Sequence, residues 1–346
     1  MPTTKFDYLI IGQGLAGSIL AHTLITQGCR VMVIDNYHKG ASSQVAAGII
    51  NPITGPRLTN NDDFKNYYLS AKSYYAKLEY HIKKVVFHNI EQIRQIQNSS
   101  QHEFLTKRLN DANYKMLIST LNDKSSSLFK ENDLPLVSIK DTAIINTNDL
   151  LSANKCWLAS LDSYLESEFN YSQLSASLDG IHYQNIHAQQ VIFCEGYQAI
   201  HNPWLKHLPF KLAKGEILTL NNTNNNTPMM SWDKWLVPLG ATAKLGSNFA
   251  WDDIDLTPSK DVEQALLESL DSNTEISADV IAHEVGIRPS TRQREPFIGK
   301  LSNLDNAYCF NGFGSKGCLL IPHYASLLSK HLLQQSPLPT RVSKWL

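Results

Sequence analysis

An apolar run from Tyr8 to Ile11 ends on Gly12-Gln-Gly14-Leu15-Ala16-Gly17 and passes into a helical spacing of apolar residues. A second run, Val31 to Ile34, closes on Asp35. Short apolar runs bounded by glycine read as buried strands, so residues 7–35 predict a strand–helix–strand unit. Such a unit binds the pyrophosphate and adenosine ribose of a dinucleotide. Gly12 permits the tight turn, Gly14 lets backbone N–H groups approach the phosphates, and Gly17 lets the helix pack close to the strand. The helix N-terminus directs its partial positive charge at the pyrophosphate. Asp35, 18 residues after Gly17, is placed to accept hydrogen bonds from ribose hydroxyls. The weaker alternative is a glycine turn with no ligand.

The pattern continues less regularly. Val45-Ala-Ala47-Gly48-Ile49-Ile-Asn-Pro is rich in small residues, which suits backbone lying against a flat, bulky group or a tight contact between elements. Phe64, Tyr67, Tyr68, Tyr74, Tyr75 and Leu78 recur at helical spacing and predict one amphipathic helix over about 62–82, its tyrosine stripe core rather than ligand contact. Residues 84–140 predict short strands and polar helices. A Thr147-Asn-Asp start predicts a helix to about Glu168. Gln190 to Gly196 reads as a buried strand ending in glycine, at the ligand-facing edge of a parallel sheet. Gly215–Leu220, Trp235–Leu239 and Ala243–Gly246 predict antiparallel strands, with a solvated hairpin loop at 221–227. A helix over 259–270, a strand over 279–288 and a strand from Ala307 follow. The last strand enters Gly312-Phe-Gly314-Ser315-Lys316-Gly317 and a helix to about Gln335. Two glycine turns this far apart imply that two chain segments converge on one cofactor.

Composition narrows the picture little. The 346 residues suffice for about two domains. Lys+Arg 31 against Asp+Glu 32 gives no whole-chain electrostatic reason for a nucleic acid or anionic membrane partner. The five cysteines show no CxxC pair and no metal-ligand spacing, so no metal is expected. Cys29, Cys194 and Cys309 fall in or beside apolar runs and read as buried thiols. An odd count without a framework suits a cytoplasmic protein. The first apolar run is needed as a strand, so the N-terminus does not read as a signal peptide, and no run approaches the ~18 residues of a membrane span.

Four segments together resemble the D-amino acid oxidase superfamily of FAD enzymes, in the manner of glycine and sarcosine oxidases. They are Gly12–Gly17 with Asp35; Ala41-Ser42-Ser43-Gln-Val-Ala-Ala47-Gly48; Gly286-Ile-Arg288-Pro through Gly299; and Gly312–Gly317. The resemblance implies a Rossmann-like α/β FAD-binding domain with a parallel sheet, drawn from residues 1–60, 141–214 and 279–346. A second α+β substrate domain on an antiparallel sheet would come from 61–140 and 215–278. It implies cofactor contacts at Gly12, Gly14, Leu15, Ala16, Gly17, Asp35, Ser42, Ser43, Ala47, Gly48, Ile49, Gly196, Gly312, Gly314, Ser315, Lys316 and Gly317. In the family the last turn lays N–H groups against the flavin N1–C2=O edge, where they stabilise the reduced ring.

The resemblance further implies that Arg288 holds the substrate carboxylate through a two-pronged hydrogen bond. A structural arginine paired to a nearby acid is the alternative. Sarcosine oxidase has a flavin-tethering cysteine at that place, so arginine implies non-covalent FAD. Lys244, in a Lys-Leu-Gly similar to that of sarcosine oxidase, would stand near flavin N5 and assist oxygen; an exposed strand lysine is the alternative. Trp235 stands where D-amino acid oxidases carry an active-site tyrosine, and reads as a site wall or as core. Catalysis by orientation needs no Ser-His-Asp set.

Three functions compete. The first is oxidation of glycine, an N-methyl amino acid or a D-amino acid, with O2 or another electron acceptor. The second is removal of the carboxymethyl group from wobble uridine of tRNA, since the chain also resembles the oxidase half of the bifunctional enzyme that does so. The third is a non-catalytic flavin-binding or structural protein. The sequence leaves the oligomeric state open.

Overall fold

The computed structural model describes residues 4–61, 63–121, 127–221 and 227–346. Thr4–Ile11 lies at the centre of an eight-stranded sheet, parallel to both Val31–Asp35 and Ile186–Phe193. Tyr164–Glu166 extends the parallel set on one side and Ala307–Asn311 on the other. One face, through Tyr8, Ile10 and Val33, packs on the helices Leu15–Ile25, Phe64–Ile82, Thr147–Ser160 and Gly317–Gln334. The other face, through Leu9, Ile11 and Ile34, packs on Leu205 and Leu208. Strands covered on both faces read as continuous apolar runs, which is how the sequence betrayed them.

A second eight-stranded sheet runs in the order Val280–Arg288, Ala213–Asn221, Thr242–Gly246, Trp235–Leu239, Met229–Ser231, Gln92–Gln95, Leu136–Ile139 and Ile118–Thr120. All its pairings are antiparallel except Met229–Ser231 with Gln92–Gln95. Three short strands, Ile49–Ile50, Ala143–Ile145 and Phe87–Asn89, form a third sheet.

Two expectations need correction. The helix from Thr147 stops at Ser160 rather than near Glu168, because Asp162 turns into the left-handed region (φ 54°) and the chain re-enters the first sheet as Tyr164–Glu166. Apolar spacing cannot register such a reversal; an aspartate tolerates it. The strand Val280–Arg288, grouped with the flavin-binding segments by sequence, hydrogen-bonds to Ala213–Asn221 in the second sheet. Periodicity identifies a strand and not its partner. Residue 62 and most of the loop at 221–227 lie outside the described residues; the aromatic helix is seen from Phe64. Of the cysteines, Cys194, Cys309 and Cys318 are buried, Cys29 is partly buried and Cys156 is exposed, all as free thiols. No helix among the described residues is long and apolar enough to cross a membrane.

The tyrosine stripe is structural. Tyr67, Tyr68 and Tyr75 are buried against the first core. Pro322 lies inside the helix Gly317–Gln334 and cannot supply the N–H that the Cys318 carbonyl would otherwise receive. Tyr75 Oη donates to that carbonyl instead, at 2.9 Å. The helix that begins at the second glycine turn is thereby held to the aromatic helix at its first turn.

Candidate active site

A cavity of about 980 Å³ lies between the first two sheets and is bordered by both glycine turns. Gly12 adopts φ +101°, and a Cβ there would fall 2.6 Å from the Cys194 carbonyl oxygen. A Cβ on Gly17 would lie 1.8 Å from the Gly12 oxygen, so strand and helix meet at a distance only glycine allows. The helices Leu15–Ile25 and Gly317–Gln334 both start at the cavity, and neither has a side-chain cap. Their first-turn N–H groups are left for a ligand. The two starts are adjacent: a Cβ on Gly317 would touch Leu15 Cδ1 at 3.9 Å. Asn311 joins the second turn to the middle glycine, donating to the Gly196 carbonyl at 2.8 Å and accepting from Gly312 N at 2.7 Å.

Asp35 is built into the first turn. Its Oδ1 accepts from Gln13 N at 2.9 Å and its Oδ2 from Tyr37 N at 2.7 Å. A carboxylate has about four acceptor sites, so capacity for ribose hydroxyls remains. Ser42 and Ser43 open a short helix, Ser42–Val45, and with Ala47, Gly48 and Ile49 they line the cavity. A Cβ on Gly48 would sit 1.8 Å from the Ile145 oxygen, so the segment is pressed against the third sheet. Gln13, Glu195 and Tyr171 also line the wall. The Glu195 carboxyl accepts from Tyr171 Oη at 2.6 Å and Asn202 Nδ2 at 2.7 Å, and burial raises it to about 7.

The opposite wall is a face of the second sheet. Arg288 is stacked 4.0 Å from the centre of the Phe249 ring. It donates to Ser247 Oγ at 2.8 Å and to the Asn248 carbonyl at 3.2 Å. No carboxylate among the described residues lies within 4.0 Å of it. Burial lowers its pKa to about 10. It is therefore not the acid-paired structural arginine. Gly215 makes its place, since a Cβ there would lie 2.2–2.4 Å from the guanidinium. Gly246 does the same for Trp235, whose ring would be 2.7 Å from an added Cβ. Trp235 lines the cavity and also packs on a small apolar cluster.

Three expected residues stand behind the wall. Gly17 and Gly312 (φ +88°) shape the turns from beneath, and Lys244 is buried, donating to the Val45 carbonyl at 2.7 Å and the Ala46 carbonyl at 3.4 Å. It is not an exposed strand lysine; burial lowers its pKa, opposed by Glu284 at 4.0 Å. Gly14, Leu15, Ala16, Gly196, Gly314, Ser315, Lys316 and Gly317 all line the cavity. Sequence reasoning missed Gln92, Arg94, Gly215, Ser247, Phe249 and Asn311, whose relevance arises only from cross-strand placement. Asp179, His182 and His187, whose ligating atoms lie within 4.8 Å of one another, do not border the cavity.

Residues 7–331 match the family profile described as FAD dependent oxidoreductase (DAO). The chain belongs to this family. It is an FAD-dependent oxidoreductase, and the uncapped helix starts and beta-carbon-free turns around the cavity fit that cofactor. Among curated proteins it is 24% identical over 370 residues to the tRNA 5-methylaminomethyl-2-thiouridine biosynthesis bifunctional protein MnmC of Legionella pneumophila, covering 93% of this chain. The chain spans about half of that relative's length (54%). It is also 24% identical to the uncharacterized oxidoreductase YurR of Bacillus subtilis, over 94% of this chain and 95% of that one. Among solved structures, glycine oxidase from Geobacillus kaustophilus superposes with a TM-score of 0.80 at 16% identity, covering 97% and 96% of the two chains. Iminodiacetate oxidase from Chelativorans sp. BNC1 does so with 0.80 at 19% identity, covering 97% and 98%. These likenesses fix the fold.

Proposed function

We propose that this protein oxidises the C–N bond of a carboxylate-bearing amine, either a primary amino acid or an N-substituted glycine. The observation that carries the reading is Arg288, a partly buried guanidinium without an acid partner on the wall facing the glycine turns. A planar, stacked guanidinium with donors to spare is suited to a carboxylate, and gripping it orients the neighbouring C–H bond. FAD supplies the hydride acceptor when bound. The first turn, with Gly12, Gly14 and Asp35, would hold its pyrophosphate and ribose, and Gly314–Gly317 the N1–C2=O edge of the ring. Trp235 forms a side of the substrate space. Lys244 is assigned to assisting electron transfer to O2 from behind the Val45–Ala46 backbone. The chain is read as two domains with the boundaries expected from sequence, except that Val280–Arg288 joins the substrate domain.

The MnmC relatives favour a second reading, in which the amine is carried on a tRNA wobble uridine. Its carboxymethylamino group is itself an N-substituted glycine, so Arg288 would hold the same carboxylate. Anaerobic flavin bleaching across glycine, sarcosine, D-amino acids and carboxymethylaminomethyl-uridine tRNA separates the readings, and no bleaching by any carboxylated amine refutes both. Arg288→Ala is expected to raise KM by one to several orders of magnitude, from the ~2–5 kcal/mol typical of a broken buried charged pair. Lys244→Met is expected to slow flavin reoxidation by O2 and spare anaerobic reduction; equal effects on both half-reactions remove it from the role.

A further inference from the structure

The cavity holds a second arginine, more deeply buried than Arg288, that this scheme does not use. Arg94 lies in the strand Gln92–Gln95, enclosed between Met229–Ser231 and Leu136–Ile139, and is only 7% exposed. Its Nη2 donates to the Gly55 carbonyl at 3.0 Å, and its buried Nε has no partner. No carboxylate among the described residues lies within 4.0 Å of it. Asp233, an acid on the same cavity wall, is taken by Lys234 at 2.7 Å and by Ser269 at 3.1 Å. A guanidinium withdrawn from water without an anion is costly, and a sheet interior has no need of one.

Its placement relates it to Arg288. Arg94 pairs directly with Ser231, Ser231 with Trp235, and Trp235 with Gly246. Directly paired residues share a sheet face, so Arg94 and Trp235 face the same space, three strand steps of ~4.8 Å separating Arg94 from Gly246. The residue after Gly246, Ser247, holds the Arg288 guanidinium. The two unpaired cations thus lie on opposite sides of Trp235 on one cavity wall. Resting on the amine-oxidation reading, we infer that the substrate is a dianion. It is an N-substituted glycine whose substituent ends in a second carboxylate, with Arg288 gripping the glycyl carboxylate and Arg94 the distal one.

Thioether analogues, which replace the oxidisable amine by sulfur, test this without turnover. Holoenzyme would be titrated by flavin absorbance with methylthioacetate, thiodiacetate and 3-(carboxymethylthio)propionate. At least one dicarboxylate is expected to bind roughly 30-fold or more tighter than methylthioacetate. Arg94→Gln should abolish that advantage, leave methylthioacetate affinity and flavin content unchanged, and Arg94→Lys should restore part of it. Equal affinity of all three ligands for wild type overturns the inference. So does an Arg94→Gln protein that loses FAD, which would assign Arg94 to the cofactor. Should Arg94→Gln fail to fold, the wild-type preference and its reduction in Arg94→Lys decide the matter. Failure of every amine to bleach the flavin, with the dicarboxylate preference intact, would instead count against the oxidation chemistry alone.

Discussion

The two walls of the cavity are built from different materials. On the glycine-turn side the functional groups are backbone N–H donors, delivered by two helix starts and kept accessible because Gly12, Gly14 and Gly17 carry no Cβ. On the sheet side they are side chains, Arg288, Trp235 and Arg94, brought together from three strands that are far apart in sequence. A backbone wall cannot be altered without disturbing the fold. A side-chain wall can be edited residue by residue, which under the proposed function suits it to defining the substrate while the other wall keeps the cofactor.

The comparison predicts where damage should fall. Gly17→Ala forces a Cβ within 1.8 Å of the Gly12 oxygen, so the expected outcome is colourless protein destabilised by more than about 3 kcal/mol. A yellow variant of wild-type stability in urea unfolding would break the distinction. His22, in the helix behind the first turn, is 2% exposed, bonded to Tyr74 and His81, and lowered to about 4 by burial and by His81. The unfolded chain then binds its proton more readily, so the stability it contributes is present above about pH 6.5 and lost as pH falls toward 4. Relative to His22→Gln, wild type should lose about 3 kcal/mol across that window in denaturant titrations, with flavin released alongside.

Gly215→Ala probes the other wall. The new methyl would displace the Arg288 guanidinium, 2.2–2.4 Å away, without needing a positive φ. KM for a carboxylated amine should rise roughly 10–100-fold with flavin content and melting temperature retained. Loss of flavin instead would show that the two walls are not separable. The smallest effect is expected at the brace of the second turn. Tyr75→Phe leaves the Cys318 carbonyl unpartnered and should cost about 1–2 kcal/mol in urea unfolding. Adding Pro322→Ala should recover most of it by returning the helical N–H, and a Tyr75→Phe cost unaffected by position 322 would remove the brace.

Legibility followed the same division. Gly12–Gly17, Asp35 and Gly312–Gly317 are contiguous motifs whose spacing already encodes turn, helix start and strand end, and most of their residues border the cavity. Arg94 sits in Gln92-Ile-Arg-Gln95, a polar strand that by itself resembles a solvated edge; burial by its two neighbours reverses that reading. Gly215 and Gly246 look like ordinary strand glycines until the facing side chains are known. The helix overrun past Ser160 and the regrouped strand Val280–Arg288 failed for the same reason: local spacing records which faces are apolar, never what they face.

The sequence by itself determined the strand–turn–helix units and the turn glycines that must lack a Cβ. Each of these is a relation among residues within a few positions of one another. Only the tertiary structure decided that Arg288 has no acid beside it, that Lys244 is buried behind the wall, and that a second unpaired arginine shares the cavity. Those facts depend on strand order and on the exclusion of water, which are properties of the assembled sheet.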